Sequence, residues 1–299
     1  MQKTALILGH TGRFGRHMMA ALKRHGWQTR PFNRATDTLQ DAARGTQLIV
    51  NGWNPIYSDW AAQIPGLTAQ VIAAAKTSGA AVMIPGNVYV FGEDIPAIIG
   101  PDTPHRATNP LGQIRRRMEA AYRDAGVKAV ILRAGDYIDT EASGNWFDMI
   151  IVAKLAKGRV TYPGPMDQPH SWAYLPNLAE AGARLAEKLD DLPIFSDFMF
   201  DGYTLTGAEL AQAVEAATGQ RLKAKTMSWL PIHLARPFWA EAKHLVEMRY
   251  LWNQPHRADG TKLAQVIPNL CQTTVPDALA VACAPLSPAA RDRLEHVHP

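Results

Sequence analysis

The chain has 299 residues, 47% hydrophobic and 19% charged, with a formal net charge of +4. That balance describes a soluble globular chain with a large core and excludes disordered and collagen-like classes. No run approaches the ~20 apolar residues of a membrane span, and two cysteines, Cys271 and Cys283, exclude a disulfide scaffold.

In chain order, the first apolar run predicts a buried strand over Thr4–Leu8, followed at once by Gly9, Gly12 and Gly15. A helix is expected over Arg13–His25, with Met18, Met19 and Leu22 on its apolar side. Further strands are predicted at Gln28–Phe32, Gln47–Asn51, Ala81–Ile84, Lys128–Leu132 and Ile194–Phe200. Helices are predicted at Leu67–Ser78, Leu111–Ala125, Asn145–Lys157, Pro176–Leu189 and Gly207–Thr218. Apolar strands alternating with amphipathic helices imply an α/β fold, a doubly wound parallel sheet covered on both faces. From about Trp229 the alternation stops, and kinked or short helices are expected instead. The expected organisation is a Rossmann-type core over residues 1–219 and a helical substrate-side lobe over 220–299, with 138–170 contributing to that lobe.

A strand, a glycine turn and a helix form the context of dinucleotide binding. The first glycine allows a tight turn, the second lets backbone approach a pyrophosphate, and the third lets helix and strand pack closely. The helix N-terminus then offers unpaired N–H groups and partial positive charge. The expected cofactor contacts are Gly9, Thr11, Gly12, Arg13, Phe14 and Gly15. An NAD site usually places a carboxylate at the end of the second strand, to bind the ribose 2′-hydroxyl. Here Asn33 and Arg34 stand there, and both would suit a 2′-phosphate. NADP is therefore expected, with NAD as the weaker choice.

Several segments in order resemble the extended short-chain dehydrogenase/reductase family and its atypical, NmrA-like branches. They are the glycine turn, Asn51-Gly52 after the third strand, Gly86–Gly92 after the fourth and Asn109–Arg115 opening a helix. Ile131–Asp136 and Trp172–Leu178 complete the series. The resemblance covers the chain to about residue 219. It implies that Asn51 and Gly52 border the cofactor, and that the helices Leu67–Ser78 and Leu111–Ala125 form a homodimer interface.

The departures from the family pattern concern chemistry. Its catalytic serine falls on Asn87, its tyrosine on Leu111 and its lysine on Arg115. Leucine transfers no proton, and arginine is too basic to act as a base. Asn87 can still hold an oxyanion and Arg115 the nicotinamide ribose. Replacement proton donors are sought in Tyr89, Tyr137 and Tyr174, on loops expected to face the cleft. His170 could supply a proton, and Asp136 could orient a partner or bind substrate.

The leading expectation is thus an NADPH-dependent reductase of a small carbonyl or enone substrate. The alternatives are a non-catalytic nucleotide sensor and a sugar epimerase or dehydratase. Dense aromatics (Trp53, Tyr57, Trp60, Tyr89, Tyr137, Trp146, Phe147, Trp172, Tyr174) favour a flat or apolar substrate. No metal site is expected, because His10, His17 and His25 lack ligand spacing and His296 and His298 lie in the tail. The short basic run Arg115–Arg117 does not point to nucleic acid, and the absence of a signal-peptide layout leads to an expected cytoplasmic location.

Overall fold

The computed structural model describes residues 2–286, so His296 and His298 lie outside the described residues. The strands are β1 Thr4–Leu8, β2 Gln28–Pro31, β3 Leu48–Asn51, β4 Ala81–Gly86, β5 Ile98–Ile99, β6 Ala129–Arg133 and β7 Asp136–Ile138. They continue as β8 Arg159–Tyr162, β9 Pro169–Tyr174, β10 Phe195–Met199, β11 Tyr203–Thr206, β12 Lys223–Thr226 and β13 Arg257–Ala258. The helices of the first part are α1 Arg13–Arg24, α2 Leu39–Ala43, α3 Trp60–Ser78, α4 Pro110–Asp124, α5 Leu175–Glu187 and α6 Gly207–Thr218. The tail adds α7 Leu230–Ala235, α8 Ala240–Glu247, α9 Tyr250–Asn253, α10 Thr261–Val266 and α11 Val275–Cys283.

Six strands form one parallel sheet in the order β10-β6-β4-β3-β1-β2. Alternate side chains of a strand point to opposite faces, and both faces here are apolar. Leu6, Leu8, Ile49, Val82 and Ile131 pack in one cluster with residues of α3 and α4. Ala5, Ile7, Val50, Met83 and Leu132 pack in the other with residues of α1 and α5. The near-continuous apolar strands follow from this two-sided burial. Leu111 and Met118 of α4 are buried in the first cluster, and Ile114 packs against it partly buried. No helix among the described residues is long and apolar enough to cross a membrane.

A third apolar cluster lies at the carboxyl end of the sheet. Tyr162, Trp172, Leu210, Val214, Trp252 and Leu279 belong to its core. It carries a three-stranded sheet, β11-β9-β7, and the pair β12-β8. The tail is therefore not purely helical: β12 joins β8 and β13 joins β5, both in parallel. β12 is Lys-Ala-Lys-Thr and fully exposed, so it carries no apolar alternation to read. The helix expected over 145–157 is also replaced, by a π-type turn at Phe147–Ile151 and a 3₁₀ turn at Leu155–Lys157. Asn145 Oδ1 and the Asp148 carboxylate accept from nearby backbone N–H groups, and such local bonds compete with a regular helix. Of the two cysteines, Cys283 is buried and Cys271 is exposed.

Candidate active site

A cavity of about 810 Å³ opens where β1, β3, β4 and β6 end. Its outer wall includes Thr11, Gly12, Arg13 and Phe14 of the glycine turn, with Asn51 and Gly52 after β3. Gly9 sits at φ +70°, and its N–H-accepting carbonyl closes the turn on Gly12 at 2.9 Å. A Cβ on Gly15 would lie 2.1 Å from the Gly9 carbonyl oxygen, so only glycine lets α1 start this close to β1. Gly12 is the N-cap of α1, with no side-chain cap bond and no acidic residue in the first turn. The first-turn N–H groups are thus left for an anion. These features fit the pyrophosphate of a dinucleotide.

The end of β2 does not fit the expected NADP. Neither Asn33 nor Arg34 lines the cavity. Asn33 Oδ1 accepts from Ala35 N–H at 3.0 Å, and the Arg34 guanidinium lies 4.4 Å over the Trp53 ring. A carboxylate closes this turn: Asp37 accepts from Asn33 N–H at 2.8 Å. That N–H and the Thr36 hydroxyl hold Asp37 below its usual carboxylate range, so the turn at the end of β2 carries an anionic carboxylate.

The inner end of the cavity brings together Asn87, Tyr89, Arg115 and Tyr137, with Tyr57 and Asp136. Asn87 caps the short turn after β4, its Oδ1 accepting from Tyr89 N–H at 3.1 Å. The amide Nδ2 remains to donate to a bound oxygen. Arg115 is buried on α4 and donates to the Pro85 carbonyl at 2.6 Å. Its Nε is buried without a partner, which is a donor available to a ligand. Leu111, at the place of the family tyrosine, is fully buried.

The phenols of this end are all held protonated. Tyr57 and Tyr89 share a 2.6 Å hydrogen bond. Burial pushes Tyr57 up to about 12, and burial together with Tyr57 raises Tyr89 well above the usual phenol value. Burial also raises Tyr137, with Arg115 and Arg13 opposing it. Tyr174 does not reach the cavity: it packs in the cluster of Trp172 and Tyr203. The aromatic set divides likewise. Trp53, Tyr57, Trp60, Tyr89, Tyr137 and Trp146 line the cavity, whereas Phe147 and Trp172 are core.

His170 is a buried member of β9. Its Nε2 lies 2.7 Å from Oδ2 of Asp136, the first residue of β7. Gly135 makes this approach feasible, since a Cβ there would lie 2.1 Å from the Ser171 carbonyl oxygen. Two further cavity residues, Glu241 and Trp239, come from the tail and are missed by motif reading. Glu241 accepts from the backbone N–H groups of Tyr57 and Ser58 and so fixes the Tyr57 turn.

Behind Asn87 lies a buried charge network. Arg133 donates to the Asn87 carbonyl at 2.6 Å, to both oxygens of Glu119, and to Asp197 at 2.5 Å. Burial opposes ionisation of Glu119, but the Arg133 charge and hydrogen bond outweigh it and hold its carboxyl low. His105, Glu119 and Asp197 offer atoms within 4.8 Å of one another, a spacing a cation could use. The Arg133 guanidinium already supplies positive charge to both carboxylates.

No family model and no curated protein matches this sequence. Solved structures do match in fold. MoeE5 in complex with UDP-glucose and NAD is 16% identical, with a TM-score of 0.72 over 98% of this chain and 99% of that one. UDP-glucose 4-epimerase from Bifidobacterium longum, in complex with NAD+ and UDP, is 15% identical, with a TM-score of 0.71 over 96% and 100%. The Bordetella bronchiseptica enzyme WbmH in complex with NAD+ is 16% identical, with a TM-score of 0.70 over 95% and 98%. The fold of this chain is shared with these structures over nearly its whole length. The NADP expectation is corrected, because these neighbours are in complex with NAD.

Proposed function

We propose that this protein is an NAD-dependent oxidoreductase acting at a hydroxyl or carbonyl carbon of a small molecule. The observation that carries the reading is one cavity with two ends: the glycine-lined N-terminus of α1, and the polar group of Asn87, Arg115 and Asp136. Backbone N–H groups of Arg13 and Phe14, at the start of α1, would hold the pyrophosphate, and the Asp37 side of β2 would tolerate an unphosphorylated ribose. Bound NAD supplies a hydride acceptor or donor. Asn87 Nδ2 donates to the reacting oxygen, and Arg115 binds ribose hydroxyls through its unpartnered Nε.

The mouth of the cavity supports an apolar-bodied substrate. Ile56, Met149 and Trp239 line it yet remain 60%, 58% and 44% exposed. Exposed apolar side chains grouped at a cleft mark a binding surface. Purified protein with NADH and a panel of alkyl and aryl ketones, aldehydes and enones tests the reading. Oxidation of NADH by at least one acceptor is expected, and none with any acceptor overturns it.

A second reading, interconversion of a nucleotide-linked sugar, draws on the ligands of the solved neighbours. Asp136, Glu141 and Glu241 in the cavity weigh against a substrate diphosphate. UDP-glucose binding in a calorimetric titration with NAD present would favour this second reading.

A further inference from the structure

We propose that Asp136, oriented by His170, is the proton-transfer group that replaces the missing tyrosine. The inference rests on the oxidoreductase reading. Three observations converge on it. The first is position: Asp136 lines the cavity beside Tyr137 and is partly solvent-accessible, with a side-chain exposure of 22%. The second is chemistry. Tyr57, Tyr89 and Tyr137 can donate hydrogen bonds but stay protonated, and Arg115 carries no removable proton. Glu241 is occupied in capping the Tyr57 turn. Asp136 is left as the inner carboxylate that can accept a proton.

The third is support. His170 Nε2–H donates to Asp136 Oδ2 at 2.7 Å. The imidazole is itself fixed, stacked on Trp252 at 4.4 Å and 5° and edge-on to His256 at 4.6 Å. His256 Nδ1 faces the Gln254 carbonyl at 2.9 Å, and burial and His170 push His256 down to about 3, so it stays neutral. The charged and titratable groups around Asp136 include His170 on β9, the phenols of Tyr57, Tyr89, Tyr137 and Tyr162, and the guanidinium groups of Arg13 and Arg115 that line the same cavity. A carboxylate aimed by one hydrogen bond keeps its second oxygen for the substrate.

In the oxidising direction the substrate O–H proton passes to the Asp136 carboxylate, and the O–H bonding pair becomes the second C–O bond. The carbinol hydrogen leaves with its electron pair to the oxidised nicotinamide dinucleotide. Reduction reverses each transfer, with Asp136 giving the proton. His170 is a positioning residue: it aims the carboxylate and does not touch the substrate.

The test pairs kinetics with NMR of the protein alone. Wild type is expected to show a downfield imidazole N–H resonance, absent in both Asp136→Asn and His170→Asn. Asp136→Asn should lower kcat by about 10²–10⁴-fold with NAD affinity unchanged. His170→Asn, whose shorter amide does not reach the carboxylate, should lower kcat by about 10-fold or more at constant KM, and His170→Gln, whose longer amide sets an N–H near the place of Nε2, should recover part of it. A wild-type rate in Asp136→Asn overturns the proposal, as does loss of NAD binding in that variant, which would make Asp136 a cofactor ligand. Wild type that binds NAD but turns over no alcohol or ketone removes the underlying reading and the proposal with it.

Discussion

Replacing Arg133 with methionine tests the network that holds the Asn87 loop. The change keeps side-chain bulk but removes the countercharge of Glu119 and Asp197, which are 1% and 8% exposed. Stripping one partner from a buried ion pair costs about 3–5 kcal/mol, and the hydrogen bond to the Asn87 carbonyl is lost as well. For a domain of this size that is a fall in Tm of about 10 °C. The loss depends on pH. In wild type Glu119 is held low by Arg133, so its contribution is present above its unfolded value and fades as pH falls. Burial raises Asp197 even beside Arg133; without Arg133, burial raises both carboxyls unopposed by that charge, and their penalty grows as pH rises. The gap between variant and wild type should therefore widen from pH 5 to pH 8 in thermal melts. Adding Glu119→Gln and Asp197→Asn should recover most of the loss, since an uncharged set has nothing left unpaired. A single variant within about 2 °C of wild type, or a triple variant no better than the single, would refute the reasoning.

Gly15→Ala places a methyl 2.1 Å from a backbone oxygen, so α1 must shift; a stability loss of about 1–3 kcal/mol and weakened NAD binding should appear in denaturant titration and calorimetry. His256 sits near 3 when folded against 6.5 unfolded, so the unfolded chain binds more protons between those values. Stability should fall by about 2 kcal/mol from pH 7 to pH 5 through this residue, and His256→Asn should flatten that slope in urea melts. NAD should bind at least about tenfold more tightly than NADP, given the Asp37 carboxylate, and Asp37→Ala should narrow the ratio; equal affinities in wild type would contradict the role given to Asp37.

Much of this architecture is legible from periodicity. All six strands of the main sheet are predicted; in the interior ones two-sided burial writes itself as unbroken apolar runs such as Ala5–Leu8 and Ala129–Leu132, whereas the edge strand β2, Gln-Thr-Arg-Pro, is largely exposed. The small lobe is less legible. β12 is exposed and charged, β13 has two residues, and side-chain bonds of Asn145 and Asp148 displace a helix that composition favours. In the site, motif spacing places Gly12, Asn87 and Arg115 in the cavity. Cofactor choice is misread at β2 because the Asp37 carboxylate sits four residues beyond Asn33, folded back by a turn. Asp136 and His170 are visible singly, but their contact depends on a β7–β9 approach that only Gly135 hints at. Tyr174 looks equally placed and is packed away.

The central claim is that the N-terminus of α1 holds the pyrophosphate of NAD. Calorimetric titration of NAD+ into wild type and Gly12→Asp tests it most directly. Saturable binding to wild type, lost when a carboxylate is set at the helix start, is the predicted result. No heat with wild type, or equal binding by both proteins, would contradict it.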